Sequence, residues 1–316
     1  MKILLTGASG QLGRELRPQF ESLGAVVGAD RDVLPGDTAT LQMDLGQRAE
    51  VEKLLASLQP DIIVNAAAFT AVDAAEDHPD TAFLLNGELP EWLARWSAAN
   101  NGFLVHYSTD YVFPGTADRP YTADDRPGPL NVYGASKLAG EDAVRKSGCR
   151  HLIVRTSWVY SGHGNNFLLT MLRLAAERPS LGVVNDQVGC PTWARNLAAA
   201  SRQMLDRALS ENDGENLSGL YHYCDGGVVS WYDFALSIFR SAKSTGLLEK
   251  LPQVSEVGSD DFPQKAERPR YSVLDVSATL STFGIQRPGL EESVRACLEA
   301  VSYTHLTLPT SSVMGG

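Results

Sequence analysis

Short, continuous apolar runs punctuate the first two thirds of the chain: Ile3 to Leu5, Ala25 to Ala29, Asp61-Ile-Ile-Val-Asn65, Gly102 to Tyr107 and His151 to Arg155, with a later one at Leu220 to Tyr223. Runs of this kind, apolar throughout rather than alternating, are what strands buried on both faces of a parallel sheet require. Gln42 to Leu45 reads as the end of a further strand. Stretches with helical spacing separate the runs. Leu16, Phe20 and Leu23 share one face, Pro90 to Ala99 presents Trp92 and Trp96 for packing, and helices are expected through Tyr133, from Phe167 to Ala176, from Trp193 to Leu205 and from Trp231 to Ala242. Strand and helix in alternation predict an α/β fold on a parallel sheet.

The first strand leads into Gly7-Ala-Ser-Gly10-Gln11-Leu12-Gly13 and then a helix. That order is the context a dinucleotide turn needs. Gly7 makes the tight turn, Gly10 lets backbone approach a pyrophosphate, Gly13 allows close helix–strand packing, and the helix start offers amides to phosphate. The expected fold is therefore a doubly wound Rossmann-type parallel sheet with NADPH or NADH as cofactor. Asp30, ending the second strand, suits ribose hydroxyls, while Arg31 suits adenine or a 2′-phosphate, so the choice between the two cofactors stays open. Asp44 is read either as a partner for adenine or as a cap for the helix from Arg48. Ala66, Ala67, Ala68, Phe69 and Thr70 follow the fourth strand as a small-residue wall for the cofactor.

Candidate chemistry lies in Asn131 to Glu141, where Tyr133 and Lys137 stand four apart and so stack on one helical face. A lysine cation there is expected to draw the phenol toward working pH, making it a general acid. Thr109, at the carboxyl end of the fifth strand, points into the crevice where such sheets bind ligands. The basic group Lys265, Arg268 and Arg270 is the candidate for a substrate phosphate. Beyond Ala242 the strand–helix rhythm loosens. Residues 1–160 and about 191–228 are expected to form the dinucleotide domain, and 161–190 with about 229–301 a smaller α/β substrate-binding lobe. The stretch from Ser302 to Gly316 reads as a frayed or foreign tail that continues no helix.

Bulk properties narrow the function. A net charge of -11 argues against nucleic-acid or membrane-surface binding. The four cysteines, Cys149, Cys190, Cys224 and Cys297, carry no metal or disulfide spacing, which suggests a cytoplasmic protein with reduced thiols. Neither a signal peptide nor a spanning helix is expected, and no metal site is foreseen.

Six motifs in this order, Gly-Ala-Ser-Gly-Gln-Leu-Gly, Asn-Ala-Ala-Ala-Phe-Thr, Ser-Thr-Asp-Tyr-Val-Phe, Asn-Val-Tyr-Gly-Ala-Ser-Lys-Leu-Ala-Gly-Glu, Arg-Thr-Ser-Trp-Val-Tyr and Asp-Gln-Val-Gly-Cys-Pro-Thr, make the chain similar to the dTDP-4-dehydrorhamnose reductases of the extended short-chain dehydrogenase/reductases. The resemblance spans roughly residues 1–300. It implies reduction of a dTDP-4-keto sugar with Tyr133, Lys137 and Thr109 catalytic. It implies Gly10, Gln11 and Leu12 at the pyrophosphate, Asp30 at the adenosine ribose, Asp44 and Leu45 at adenine, Ala68, Phe69, Thr70 and Tyr107 along the cofactor, and Asp110 and Trp158 at the substrate. Phe69 departs from the polar aromatic or histidine expected there. A homodimer is compatible with the resemblance. Another nucleotide-sugar reductase or epimerase, or a non-catalytic NADP-binding regulatory subunit, is the competing reading.

Overall fold

The computed structural model describes residues 1–210, 217–262 and 264–307, with the backbone alone for 302–307. Seven parallel strands form the central sheet, ordered across it as Gly219–His222, Arg150–Thr156, Phe103–Thr109, Ile62–Asn65, Lys2–Thr6, Ala25–Asp30 and Thr40–Gln42. The order reverses direction between Lys2–Thr6 and Ile62–Asn65. At such a switch point the flanking connections leave on opposite faces, which opens a crevice above the carboxyl ends of the strands.

The strands are buried on both sides, as their continuous apolar runs demand. Ile3, Leu5, Val64, Val105 and Val154 pack against the helices Gln11–Phe20 and Ala194–Leu209. Leu4, Ile63, Leu104 and Ile153 pack on the other face with Leu89, Leu93 and Val144, from the helices Leu89–Ala99 and Val132–Ser147. Trp92 lies in that second layer, and Trp96 packs at its margin.

A separate apolar cluster, with Leu168, Met171, Leu181, Phe234, Ile238, Val294 and Leu298, unites the helices Phe167–Glu177, Trp231–Ser244 and Leu290–Thr307 with a two-stranded parallel pair, Ser180–Val184 and Gln253–Val257. The strand Gln253–Val257 gives a weak signal in sequence because only Val254 and Val257 are apolar in it. Phe283 and Ile285, by contrast, join the cluster beneath the central sheet.

One expectation needs correction. The helix from Leu290 continues to Thr307, six residues into the stretch expected to continue no helix. Nothing before Pro309 removes an amide or clashes with the preceding turn, so the backbone has no reason to stop earlier. Residues 308–316 of the expected tail lie outside the described residues.

Candidate active site

At the carboxyl edge of the sheet lies a cleft of about 760 Å³. Its floor begins at the glycine turn. Gly7 has φ +69, and a Cβ there would stand 2.6 Å from the Ala67 backbone nitrogen. A Cβ on Gly13 would fall 2.0 Å from the Gly7 carbonyl oxygen. Gly7 thus sets the turn, while Gly13 lies behind it, buried, and does not itself line the cleft. Gly10 occupies the N-cap position of Gln11–Phe20 and has no side chain to bond the helix amides. Those amides carry the partial positive charge of the helix start. The Ser9 hydroxyl in the same turn is buried without a partner. Uncapped amides, a missing Cβ and an orphaned hydroxyl together fit a phosphate-bearing dinucleotide.

Asp30 borders this turn. Its Oδ2 accepts from the Ser9 amide at 2.9 Å and its Oδ1 from the Asp32 amide at 3.4 Å. Arg31 is highly exposed and pairs with Asp32 at 3.3 Å. Asp44, Leu45 and the wall from Ala66 to Thr70 complete this half of the cleft. Asp44 does not cap the Arg48–Leu58 helix, where Gln47 holds the N-cap position; its Oδ1 instead accepts from Gly46 at 2.9 Å, closing the turn ahead of it. Tyr107 reaches the cleft at its strand end, but its ring is buried below the sheet with Phe103 and Val105.

The other half holds the hydroxyls. Asn131 caps the helix Val132–Ser147 by accepting from Gly134 at 2.8 Å, and Gly148 closes it in the left-handed conformation. Tyr133 in its first turn is half-buried, and its phenol lines the cleft together with Thr109, whose hydroxyl lowers the phenol's pKa. Thr109 donates to Asp110 Oδ1 at 3.0 Å and accepts from the Tyr111 amide. Lys137 is 3% exposed, and its Nζ donates to the Tyr107 carbonyl oxygen at 2.5 Å.

Burial governs the ionisation of these groups. It pushes the Tyr133 phenol up to about 12, against the lowering bond from Thr109. The expected pull of Lys137 on the phenol is not what decides it. Burial also lowers Lys137 to about 8, partly offset by Glu141, and raises Asp110 to about 7. At neutral pH the phenol keeps its proton, as a general acid must.

Several positioning groups escaped the sequence. Asn86, wholly buried in the π-helical turn Leu84–Glu88, accepts from the Phe69 amide at 2.8 Å and donates to the Phe69 carbonyl and the Ser136 hydroxyl, each at 3.0 Å. It locks the cofactor wall to the Tyr133 helix. A lone amide amid Ala82, Phe83, Leu84 and Leu85 was the available signal. Glu141, one turn beyond Lys137, takes both Nε (2.8 Å) and Nη2 (2.6 Å) of Arg155, and both side chains are buried. Trp231 stacks on Trp158 with ring centroids 3.5 Å apart and planes 4° from parallel. Trp158 holds a positive φ of 45, a costly backbone for a tryptophan, which the stack maintains at the cleft's edge.

Arg268 does not line the main cleft; it ion-pairs with Asp73 at 2.8 Å. Lys265 pairs with Asp77. The Val72–Asp77 helix brings both acids to the basic group. Arg268 and Arg270 open on an adjoining cavity of about 340 Å³. Among the described residues no cluster of three or more His, Cys, Asp or Glu could hold a metal, and no helix is long and apolar enough to cross a membrane.

A glycine turn at the switch point, facing a Tyr-Thr-Lys group in one cleft, defines a Rossmann-type oxidoreductase of the short-chain dehydrogenase class. The model of the RmlD substrate binding domain matches residues 1–303. The dTDP-4-dehydrorhamnose reductase of Salmonella typhimurium is 41% identical over 298 residues, covering 94% of this chain and 97% of that one. That of Burkholderia thailandensis is 42% identical over 301 residues, 94% and 98% of the two. A crystal structure of a dTDP-4-dehydrorhamnose reductase from Clostridium acetobutylicum superposes with a TM-score of 0.84 at 36% identity, over 96% of this chain and all of that one. The Bacillus anthracis reductase in complex with NADP gives 0.83 at 33% identity, over 95% and 99%. The chain belongs to the dTDP-4-dehydrorhamnose reductase family.

Proposed function

We propose that this protein reduces dTDP-4-dehydro-β-L-rhamnose to dTDP-β-L-rhamnose with NADPH or NADH, and that Tyr133 is the general acid. The observation that carries the reading is the convergence of Tyr133, Thr109 and Lys137 on the same cleft as the uncapped glycine turn. The helix start with Gly10, Gln11 and Leu12 would hold the pyrophosphate, Asp30 the adenosine ribose, and Ala66 to Thr70 the rest of the dinucleotide. Bound there, the reduced nicotinamide supplies the hydride for the C4 carbonyl carbon.

The chain supplies the rest. As charge grows on the sugar oxygen, Tyr133 gives it a proton, and Thr109, released from Asp110, adds a second hydrogen bond. Lys137, anchored on Tyr107, contributes a fixed positive charge close by. Asp110 and Trp158 would contact the sugar, with Trp231 bracing Trp158. The adjoining cavity would take the diphosphate, where Arg268, although shared with Asp73, and Arg270 offer positive charge. In the same reading 1–160 with about 191–228 serves the dinucleotide, and 161–190 with about 229–301 the sugar.

The test is the loss of NADPH or NADH absorbance with the 4-keto sugar nucleotide. Consumption with that substrate supports the reading. Consumption only with other keto sugars points to a different nucleotide-sugar reductase or epimerase, and tight cofactor binding with no turnover on any of them to a regulatory subunit.

A further inference from the structure

The loop after the Val159–Tyr160 strand grips the phosphate turn from the opposite side of the cleft. His163 Nε2 lies 3.1 Å from the Gln11 carbonyl oxygen. A carbonyl only accepts, so Nε2 carries the proton and donates. The Gln11 side chain is held as well: its Oε1 accepts from Ser161 Oγ at 3.1 Å and Asn166 Nδ2 at 2.8 Å, and its Nε2 donates to the Asn165 carbonyl at 3.2 Å. Asn166 is itself fixed, since its Oδ1 caps the helix Phe167–Glu177 by accepting from Leu169. Gln11 is the first residue of the glycine-turn helix, so every one of these bonds bears on where its uncapped amides point.

Burial lowers the basicity of His163, and Arg14 and Arg195 lower it further, against Glu15, whose Oε1 stands 4.0 Å from Nδ1. Glu15 is in turn held by Arg195 at 2.9 Å. A neutral ring keeps the donor that Gln11 needs without placing a full charge beside the turn.

We infer that the Ser161–Asn166 loop is a latch for the cofactor, with His163 and Asn166 as positioning residues that aim the helix amides at the pyrophosphate without touching it. The Gln11 side chain is committed to this latch and leaves only backbone for the ligand. The inference rests on the dinucleotide reading of the cleft.

The test compares wild type, His163→Ala, Asn166→Ala and His163→Gln, in which the amide can replace the Nε2 donor. Fluorescence titration with NADH and steady-state kinetics are the readouts. Removing one such hydrogen bond is expected to weaken dinucleotide binding and raise its KM by roughly 3- to 10-fold, with kcat and the KM for the sugar moving less than twofold, and His163→Gln is expected to restore most of the loss. Folded Ala variants that bind NADH like wild type would overturn the latch. So would a loss in which kcat, sugar KM and melting temperature worsen together and Gln does not rescue, since that marks general unfolding of the loop. A wild-type protein that binds neither dinucleotide would instead sink the reading of the cleft.

Discussion

At the scale of single residues, the cleft works by withholding water. Tyr133 is a poor acid by its raised value of about 12, yet that value guarantees the proton is present when an oxyanion forms. Replacing it, Tyr133→Phe, is expected to lower kcat by about 100-fold or more, the scale of a lost general acid, with the KM for the dinucleotide little changed; kinetics near those of wild type would refute the assignment. Asp110 gives the site a second, pH-dependent property. Its carboxyl, raised to about 7 chiefly by burial, is neutral below that pH and charged above it, and its charge raises the Tyr133 phenol further. Turnover is therefore expected to fall as pH rises through about 7, and Asp110→Asn to remove that step from the profile. The stability sign follows the same proton. Between 3.8, the ordinary value, and about 7 the folded protein holds a proton that the unfolded chain releases, so this group's contribution to stability declines as pH rises through that window.

At the scale of elements, the Val132–Ser147 helix must hold Tyr133 and Lys137 over the end of Phe103–Thr109. Its tether to the sheet is the Glu141–Arg155 pair, with Ser108 donating to the same carboxylate. Arg155 also sits 4.9 Å over the Phe113 ring. Removing one partner of so buried a pair strands the other charge. Glu141→Gln is expected to cost about 3 kcal/mol or more in denaturant unfolding, whereas replacing both residues by methionine should recover much of the loss. A single variant as stable as wild type would show that the pair is not the tether. The Asn86 turn does the same service for Phe69 from the neighbouring helix. A π-turn displaces one residue out of helical register, which is how Asn86 reaches a strand-end loop and the Tyr133 helix together.

Across the whole molecule, the cleft is lined from both sides. The sheet lends the glycine turn and the hydroxyls, while Asn165, Trp158 and Trp231 come from segments that follow the last of the apolar runs before residue 160 or pack in the separate apolar cluster. A ligand that bridges these parts binds the folded state alone. At a concentration 100 times its dissociation constant, NADPH or NADH should add about 2.7 kcal/mol and raise the melting temperature by roughly 5 °C. A scan with and without the dinucleotide measures this, and no shift at saturating concentration would count against the cleft as its site.

The residues themselves determined the parallel sheet, the glycine turn and the Tyr133–Lys137 helix, because each rests on local rules: continuous apolar runs, a residue without a Cβ, a four-residue repeat along a helix. Motif order carried the family. The pairings across long stretches of chain were settled only by folding. Nothing in the sequence around Arg268 shows that Val72–Asp77 brings Asp73 against it. Nor does the glycine turn show that a loop 150 residues away holds the Gln11 side-chain amide. The lysine was expected to govern the phenol, but the balance of burial against charge depends on how much water the surrounding elements exclude. Spacing along a helix encodes neighbours a turn apart; the partners of a buried polar group are whatever the tertiary structure seals in beside it.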